Sequence, residues 1–279
     1  MVKMLKAGFY TSIQDLGRFY HRSMGVPVSG AMDSYAVAHL NKLLENDETA
    51  AVLEITITGP ILEFTADTYI AFGGAEFDVQ LNETIAKEYK IYKISKGDVL
   101  TYGSLNKGYR GYLAIRGGFK TEEVLGSRSW YKPVTTKGSL LKNDEIPYDP
   151  ETNFSPLLSA VSLKSYLTEK ELTVYKGPEF ERLTDRQLER LFSTTFTVAK
   201  ENNRMAYQLN EVLDAHQLSM LTSATLPGTV QLTPSGKLII LMKDGQTTGG
   251  YIRAIQLSEK SIHILSQKKT GDTISFKLI

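Results

Sequence analysis

Two stretches of this chain hold polar side chains and glycines at spacings suited to binding a small polar molecule. The first is Leu241-Met242-Lys243-Asp244-Gly245-Gln246-Thr247-Thr248-Gly249-Gly250-Tyr251. Asp244 and Gln246 can bond a polar ligand, and Thr247 and Thr248 offer hydroxyls. Gly249-Gly250 let the backbone approach whatever is bound. An apolar run, Leu238 to Met242, enters the stretch as a buried strand, and Tyr251 closes it before a second strand starts at Ile252. The competing reading is a hairpin loop with ordinary turn residues.

The second stretch is residues 11–33, which holds Gln14-Asp15-Leu16-Gly17-Arg18, then Ser29-Gly30, then Asp33. A connection of this length without regular structure is functional or disordered, and the interspersed Leu16, Met24, Val26 and Val28 argue against disorder. Asp15 and Arg18 make either a structural ion pair or a site in which Arg18 holds a carboxylate or phosphate bidentately, and the spacing leaves both open. Ser29-Gly30 precede a helix whose N-terminal amides can receive an anion. Asp33 falls in its first turn, where the helix dipole favours a negative charge.

Several chemistries are excluded by composition. There is no cysteine among the 279 residues, which removes disulfides, thiolate nucleophiles and Cys-ligated zinc. The four histidines, at 21, 39, 216 and 263, are scattered, and neither a P-loop nor a Gly-x-Ser-x-Gly elbow occurs. No metal site is expected. A net charge of +1 gives no support for a nucleic-acid or membrane surface. Without an apolar run long enough for a signal peptide or a membrane span, a cytoplasmic protein is expected. What remains is Asp, Arg, Gln, Thr and Gly in loops, which suits positioning and electrostatic stabilisation of an anionic species.

The elements that must position these residues are mostly strands. A helix is expected over about 31–45, where Met32, Ala36, Leu40, Leu43 and Leu44 make one face. From 51 to 116 short β-rich runs alternate with Gly, Pro and Asn turns, as in a barrel or sandwich. Glu54 sits inside one of these runs, facing solvent or, if inward, needing a partner such as an arginine. Gly126-Ser127-Arg128-Ser129-Trp130 lies at the edge of this block, as packing at a junction or as part of a site. Residues 143–171 read as a linker between a lobe over 1–142 and a lobe over 172–279. In the second lobe, Thr184 and Gln187 have capping-box spacing for a helix near 184–192. Strands resume around it, including one at Ile262–Leu265 that carries His263 as a structural histidine. Similar segments in the two halves suggest a duplication, with Gly97-Asp98 echoed by Gly271-Asp272. The chain thus reads as mainly β, in two lobes with about one helix each.

Gln14-Asp15-Leu16-Gly17-Arg18, Gly25-Val26-Pro27-Val28-Ser29-Gly30-Ala31-Met32-Asp33 and Leu53-Glu54 resemble the biotin-dependent carboxyltransferase-like family. That family includes the 5-oxoprolinase C subunit, the KipA proteins and the second carboxyltransferase segment of urea carboxylase, often labelled allophanate hydrolase subunit 2. Gly126-Ser127-Arg128-Ser129, Arg204-Met205, Gly228-Thr229-Val230-Gln231 and Asp244 to Tyr251 match further along, in the same order. Glu45 stands where the family commonly has glycine, and Ala206 where a glycine usually follows Arg-Met. The resemblance implies two cyclophilin-like β-barrel lobes and one part of an ATP-dependent 5-oxoprolinase. It would work with a KipI-like B subunit, and the A subunit would make up the rest of the enzyme. ATP, with Mg, would be shared with the partner. Alternatives are a carboxyltransferase component acting on urea-like amides and a non-enzymatic KipA-type regulator that binds a kinase inhibitor. The expected catalytic residues are Asp15, Arg18 and Asp244. The expected substrate- or nucleotide-binding residues are Gln14, Ser29, Gly30, Asp33, Glu54, Arg204, Gln231, Gln246, Thr247, Thr248, Gly249, Gly250 and Tyr251. Met1-Val2-Lys3-Met4 superficially resembles a biotin attachment site, but only two residues precede Lys3, so no covalent biotin is expected on this chain.

Overall fold

The structure is a computed structural model and describes all residues, 1–279. The chain divides into two units, one of Met1–Arg18 with Ser29–Ser165 and the other of Phe19–Val28 with Tyr166–Ile279. Residues 143–165 therefore belong to the first unit, and the change of unit falls at Ser165/Tyr166.

The first unit contains β1 (Val2–Lys6), β2 (Tyr10–Gln14), α1 (Ser34–Leu43), β3 (Val52–Thr56), β4 (Ile61–Phe64), β5 (Thr68–Leu81), β6 (Thr84–Ala86), β7 (Tyr92–Ile94), β8 (Val99–Ile115) and β9 (Glu145–Ile146). Its sheet runs β2-β3-β8-β4-β1-β9, and β5 pairs along β8 while also carrying β6 and β7. This sheet branches and forms an open half-barrel, one of the two β-barrel lobes the resemblance implies. β5 and β8 are long, and their pairing runs from Ile70↔Ile115 to Leu81↔Leu100 through register shifts.

Period-two alternation then decides what each side chain meets. Ile70, Phe72, Leu53, Ile55, Leu113 and Ile115 enter the main core with Val2, Met4, Ile13 and Phe64. The alternate residues Tyr69, Ala71, Val52, Tyr112 and Ala114 face the other way, onto Ala36, Val37, Leu40 and Leu43 of α1. Both faces of these strands are covered, so the first eight residues of β5 are all buried. Each fully buried side chain of the Leu, Ile or Phe kind contributes roughly 1.5–3 kcal/mol. The helix begins later than the spacing suggests: Asp33 is its N-cap, accepting from the Ala36 amide at 3.2 Å.

The second unit contains β10 (Glu171–Lys176), α2 (Asp185–Ser193), β11 (Phe196–Asn202), β12 (Ala206–Val212), β13 (Ser223–Ala224), β14 (Thr229–Leu232), β15 (Lys237–Leu241), β16 (Thr248–Gly249), β17 (Ile252–Leu257), α3 (Glu259–Ser266) and β18 (Thr273–Leu278). Seven of its strands form a closed barrel in the order β10-β17-β14-β15-β12-β11-β18. The parallel pair β10–β18 makes the closure. Strands β13 and β16 stand apart as a two-stranded ribbon. Thr184 and Gln187 form the capping box of α2.

The expected strand at Ile262–Leu265 is instead part of α3, so this unit has two helices and His263 is helical. Ser261 to Ser266 are all buried there, and a buried helix shows no amphipathic period to distinguish it from a strand. The signal that marks it is Ser258, whose side chain accepts from the Ser261 amide as an N-cap. Burial and the nearby Lys243 charge lower the His263 pKa to about 4, so the ring is neutral near pH 7. No helix in the chain is long and apolar enough to cross a membrane.

Candidate functional site

The expected site residues fall into two clusters, one in each unit. In the first, β2 ends at Gln14, and its neighbours are held by a loop more than a hundred positions away. Trp130 donates its amide to the Ile13 carbonyl at 2.9 Å, and the Gln14 amide nitrogen donates to Ser12 Oγ and to the Trp130 carbonyl. The buried Asp15 carboxylate is ringed by donors: the Gly17 amide at 2.7 Å, Ser127 Oγ at 2.7 Å, Ser129 Oγ at 2.6 Å and the Arg128 amide at 2.6 Å. Three of these donors reach Oδ1 and the Arg128 amide alone reaches Oδ2. Asp15 is placed to pin two loops together.

Arg18 is fully buried and donates from Nη2 to the Ser129 carbonyl at 2.5 Å and from Nε to the Val124 carbonyl. The same loop is thereby held through both its side chains and its backbone. Ser29 and Gly30 follow with positive φ of 56° and 85°. At Gly30 a Cβ would lie 2.6 Å from the Leu16 carbonyl oxygen, so only glycine fits where the Ala31 amide returns to bond the Asp15 carbonyl. The Ser29 hydroxyl is buried there.

Glu54 points inward. Its Oε2 accepts from the Met32 amide at 2.8 Å and from Tyr112 Oη at 2.9 Å, and Arg110 Nε lies 3.8 Å from its Oε1. Tyr112 Oη in turn accepts from the Asp33 amide. Met32 and Asp33 are thus held out of the helix by a buried network. Burial, with the Glu54 charge beside it, raises the Tyr112 pKa, so the phenol keeps the proton it donates.

In the second unit Arg204 and Asp244 form a bidentate pair, Nε to Oδ2 at 2.8 Å and Nη2 to Oδ1 at 3.2 Å, with side chains 8% exposed. The Asp244 amide donates to the Arg204 carbonyl, and the Met242 amide to the Met205 carbonyl. These contacts lace the end of β15 to the start of β12. Asp244 is therefore placed to hold the loop that follows, with both oxygens turned to Arg204.

That loop carries the exposed groups. Gln246, Thr248, Gly250 and Tyr251 reach solvent, while Thr247 is buried. The ribbon of β13 and β16 is tied from several sides. Thr225 Oγ1 donates to the Gln246 carbonyl at 2.6 Å, and the Thr225 amide donates to the Thr247 carbonyl at 3.0 Å. Arg22, in the segment Phe19–Val28 that lies with this unit, donates to the Thr225 and Thr247 carbonyls. Arg253 donates to the Ala224 carbonyl while paired with Glu179. Beneath the ribbon, fully buried Gln231 accepts at Oε1 from Gln246 Nε2 at 3.4 Å.

Tyr112, Arg110, Thr225 and Arg22 are the participants that sequence reading misses. The Ser127-Arg128-Ser129 run stands out as a polar loop, but nothing in it marks Asp15 as its partner. Arg22 carries no signal at all.

The chain matches a family model described as "Carboxyltransferase domain, subdomain A and B" over residues 24–278. It is 32% identical over 282 residues to the 5-oxoprolinase C subunit of Escherichia coli (strain K12), covering 99% of this chain and 90% of that protein. It is 28% identical over 306 residues to a urea amidolyase of Lachancea kluyveri, covering 96% of this chain and 16% of that protein. Among solved structures, TTHA0988 superposes with a TM-score of 0.91 at 26% identity, over 99% of this chain and 55% of that one. This chain therefore spans about half of the TTHA0988 chain and about a sixth of the urea amidolyase.

Proposed function

This chain belongs to the carboxyltransferase domain family of subdomains A and B, and from that premise we propose that it is the C subunit of an ATP-dependent 5-oxoprolinase, which opens 5-oxoproline to glutamate. The observation that carries the reading is the end-to-end match to the 5-oxoprolinase C subunit, 99% of this chain against 90% of that protein. Resonance makes a lactam carbonyl a poor electrophile, so the reaction needs donors aimed at the carbonyl oxygen and activation of that oxygen. The loop over 246–251 is suited to the first task. It presents backbone at Gly249-Gly250 and the Thr248 hydroxyl on a support fixed by the Arg204–Asp244 pair.

ATP would be shared with the partner subunit. The two arginines expected to clamp anionic oxygens are turned inward, Arg18 to the carbonyls of Val124 and Ser129 and Arg204 to Asp244. A nucleotide with Mg would be shared with a KipI-like B subunit, and the enzyme would be completed by its A subunit.

The second reading is a carboxyltransferase component acting on urea-like amides, favoured by the family description and by the urea amidolyase relative. It would require a carboxylated biotin delivered from another domain. Co-expression with the A and B subunits, followed by measurement of ATP hydrolysis dependent on 5-oxoproline, tests the first reading. Turnover with 5-oxoproline supports it. Turnover only with urea and bicarbonate moves the chain to the second. A complex that turns over neither, while this chain binds a KipI-like protein, leaves the regulatory role.

A further inference from the structure

Gln231 is the one residue of the second cluster whose side chain is both fully buried and incompletely bonded. It lies in β14 between Val230 and Leu232, also fully buried. Gln246 Nε2 donates to its Oε1 at 3.4 Å, and in this orientation Nε2 points away from Gln246. That Nε2 has no acceptor. A buried amide donor left unbonded destabilises a fold, and an apolar side chain of the same shape would remove the cost. Gly249 lies against the donor. A Cβ on Gly249 would sit 2.4 Å from Gln231 Nε2, and the next closest atom to that position outside Gln231 is Thr225 Cγ2 at 3.5 Å. A glycine backbone in a two-residue strand is the lid. The strand pairs only with β13, outside the barrel ladder, so it can lift without unpairing any barrel strand.

We propose that Gln231 Nε2 is the donor that binds the carbonyl oxygen of an amide ligand, lactam or urea, admitted when the β13–β16 ribbon lifts from the barrel. The inference rests on the amide-substrate reading above and names the atom that recognises the substrate. A neutral carbonyl is a suitable acceptor for a neutral amide donor. The charged groups nearby are already paired, Arg204 with Asp244 and Arg253 with Glu179. Arg22, bonded to the Thr225 and Thr247 carbonyls, and Arg253, bonded to the Ala224 carbonyl, work as latches of the ribbon. Gly249 is required for two reasons. A side chain there would collide with the donor, and it would also block the oxygen that replaces the lid.

The test uses the assembled enzyme without ATP and isothermal titration with 5-oxo-L-proline, urea and L-proline. L-Proline keeps the ring and carboxylate but lacks the lactam oxygen. Wild type should bind 5-oxo-L-proline at least about tenfold more tightly than L-proline, the scale of one donor left without its acceptor. Gln231→Met should lose that preference while melting at or above the wild-type temperature, because the unbonded donor is gone. Gly249→Ala provides a second, independent loss. If wild type shows the preference and both variants keep it, the proposal falls and the amide-substrate reading stands. If wild type binds urea alone and Gln231→Met abolishes it, the proposal stands and 5-oxoproline is not the substrate. If wild type binds neither amide, both fall together.

Discussion

Replacing Asp244 by asparagine keeps the shape of the side chain and removes its charge, leaving the Arg204 guanidinium buried against a neutral amide. Both side chains are 8% exposed, so solvent screens little of the loss. Removing one partner of such a pair costs about 3–5 kcal/mol, against a total domain stability of roughly 5–15 kcal/mol. Urea denaturation of the isolated chain should therefore show a large drop in midpoint. The paired change Arg204→Met with Asp244→Leu removes both charges and should recover most of the loss, since a buried ion pair is often no better than an apolar pair of similar volume. Turnover of the assembled enzyme separates the two roles open to Asp244. If it holds the loop, activity should return with stability in the double variant. If it is a general base, the double variant should be stable and still about 10²-fold or more slower. An Asp244→Asn protein that is destabilised by less than about 1 kcal/mol yet inactive would refute the holding role assigned from the geometry.

Three further outcomes are expected. His263 has a folded pKa of about 4 against 6.5 unfolded, so the unfolded chain binds more protons between those values and stability rises with pH across that window. Lowering the pH from 6.5 to 4 should cost on the order of 3 kcal/mol through this group, and His263→Leu should flatten that part of the stability curve. Asp33→Ala should cost about 1 kcal/mol by uncapping α1, read as a shift in the denaturation midpoint. Gly30→Ala should cost about 1–3 kcal/mol from backbone strain alone, with the Leu16 contact adding to it, and circular dichroism should still show a β-rich protein.

The β-rich character was legible because short alternating runs between Gly, Pro and Asn turns have few other uses. The capping box at Thr184 was legible because it is local. Helix α3 was not, because burial on all sides erases the period that marks a helix. The open first sheet was hidden for a different reason: closure depends on which strands pair, and β5 finds β8 about 30 positions away. The candidate site shows the same division. The sequence placed Asp15, Arg18, Arg204 and Asp244 in polar loops, which they occupy. It could not show that Asp15 and Arg18 hold residues 124–129, or that Arg204 turns onto Asp244 across 40 positions. Those partnerships arise from register, and register was set elsewhere in the sheet.

The segment Phe19–Val28 lies with the second unit while the residues on either side of it lie with the first. The backbone therefore passes from one unit to the other at three places, 18/19, 28/29 and 165/166. During synthesis from the N-terminus, the ten-residue strip is made long before the barrel that receives it. It must stay undocked while Ser29–Ser165 is completed, and can settle only once Thr225 and Thr247 exist for Arg22 to reach. Its docking is then an intramolecular event, with the effective concentration of a tethered ligand rather than that of a free peptide. A fragment beginning at Tyr166 would close its barrel without this strip. It should accept a synthetic 19–28 peptide in trans, weakly and with a measurable rate, which makes the final step of assembly accessible to experiment on its own.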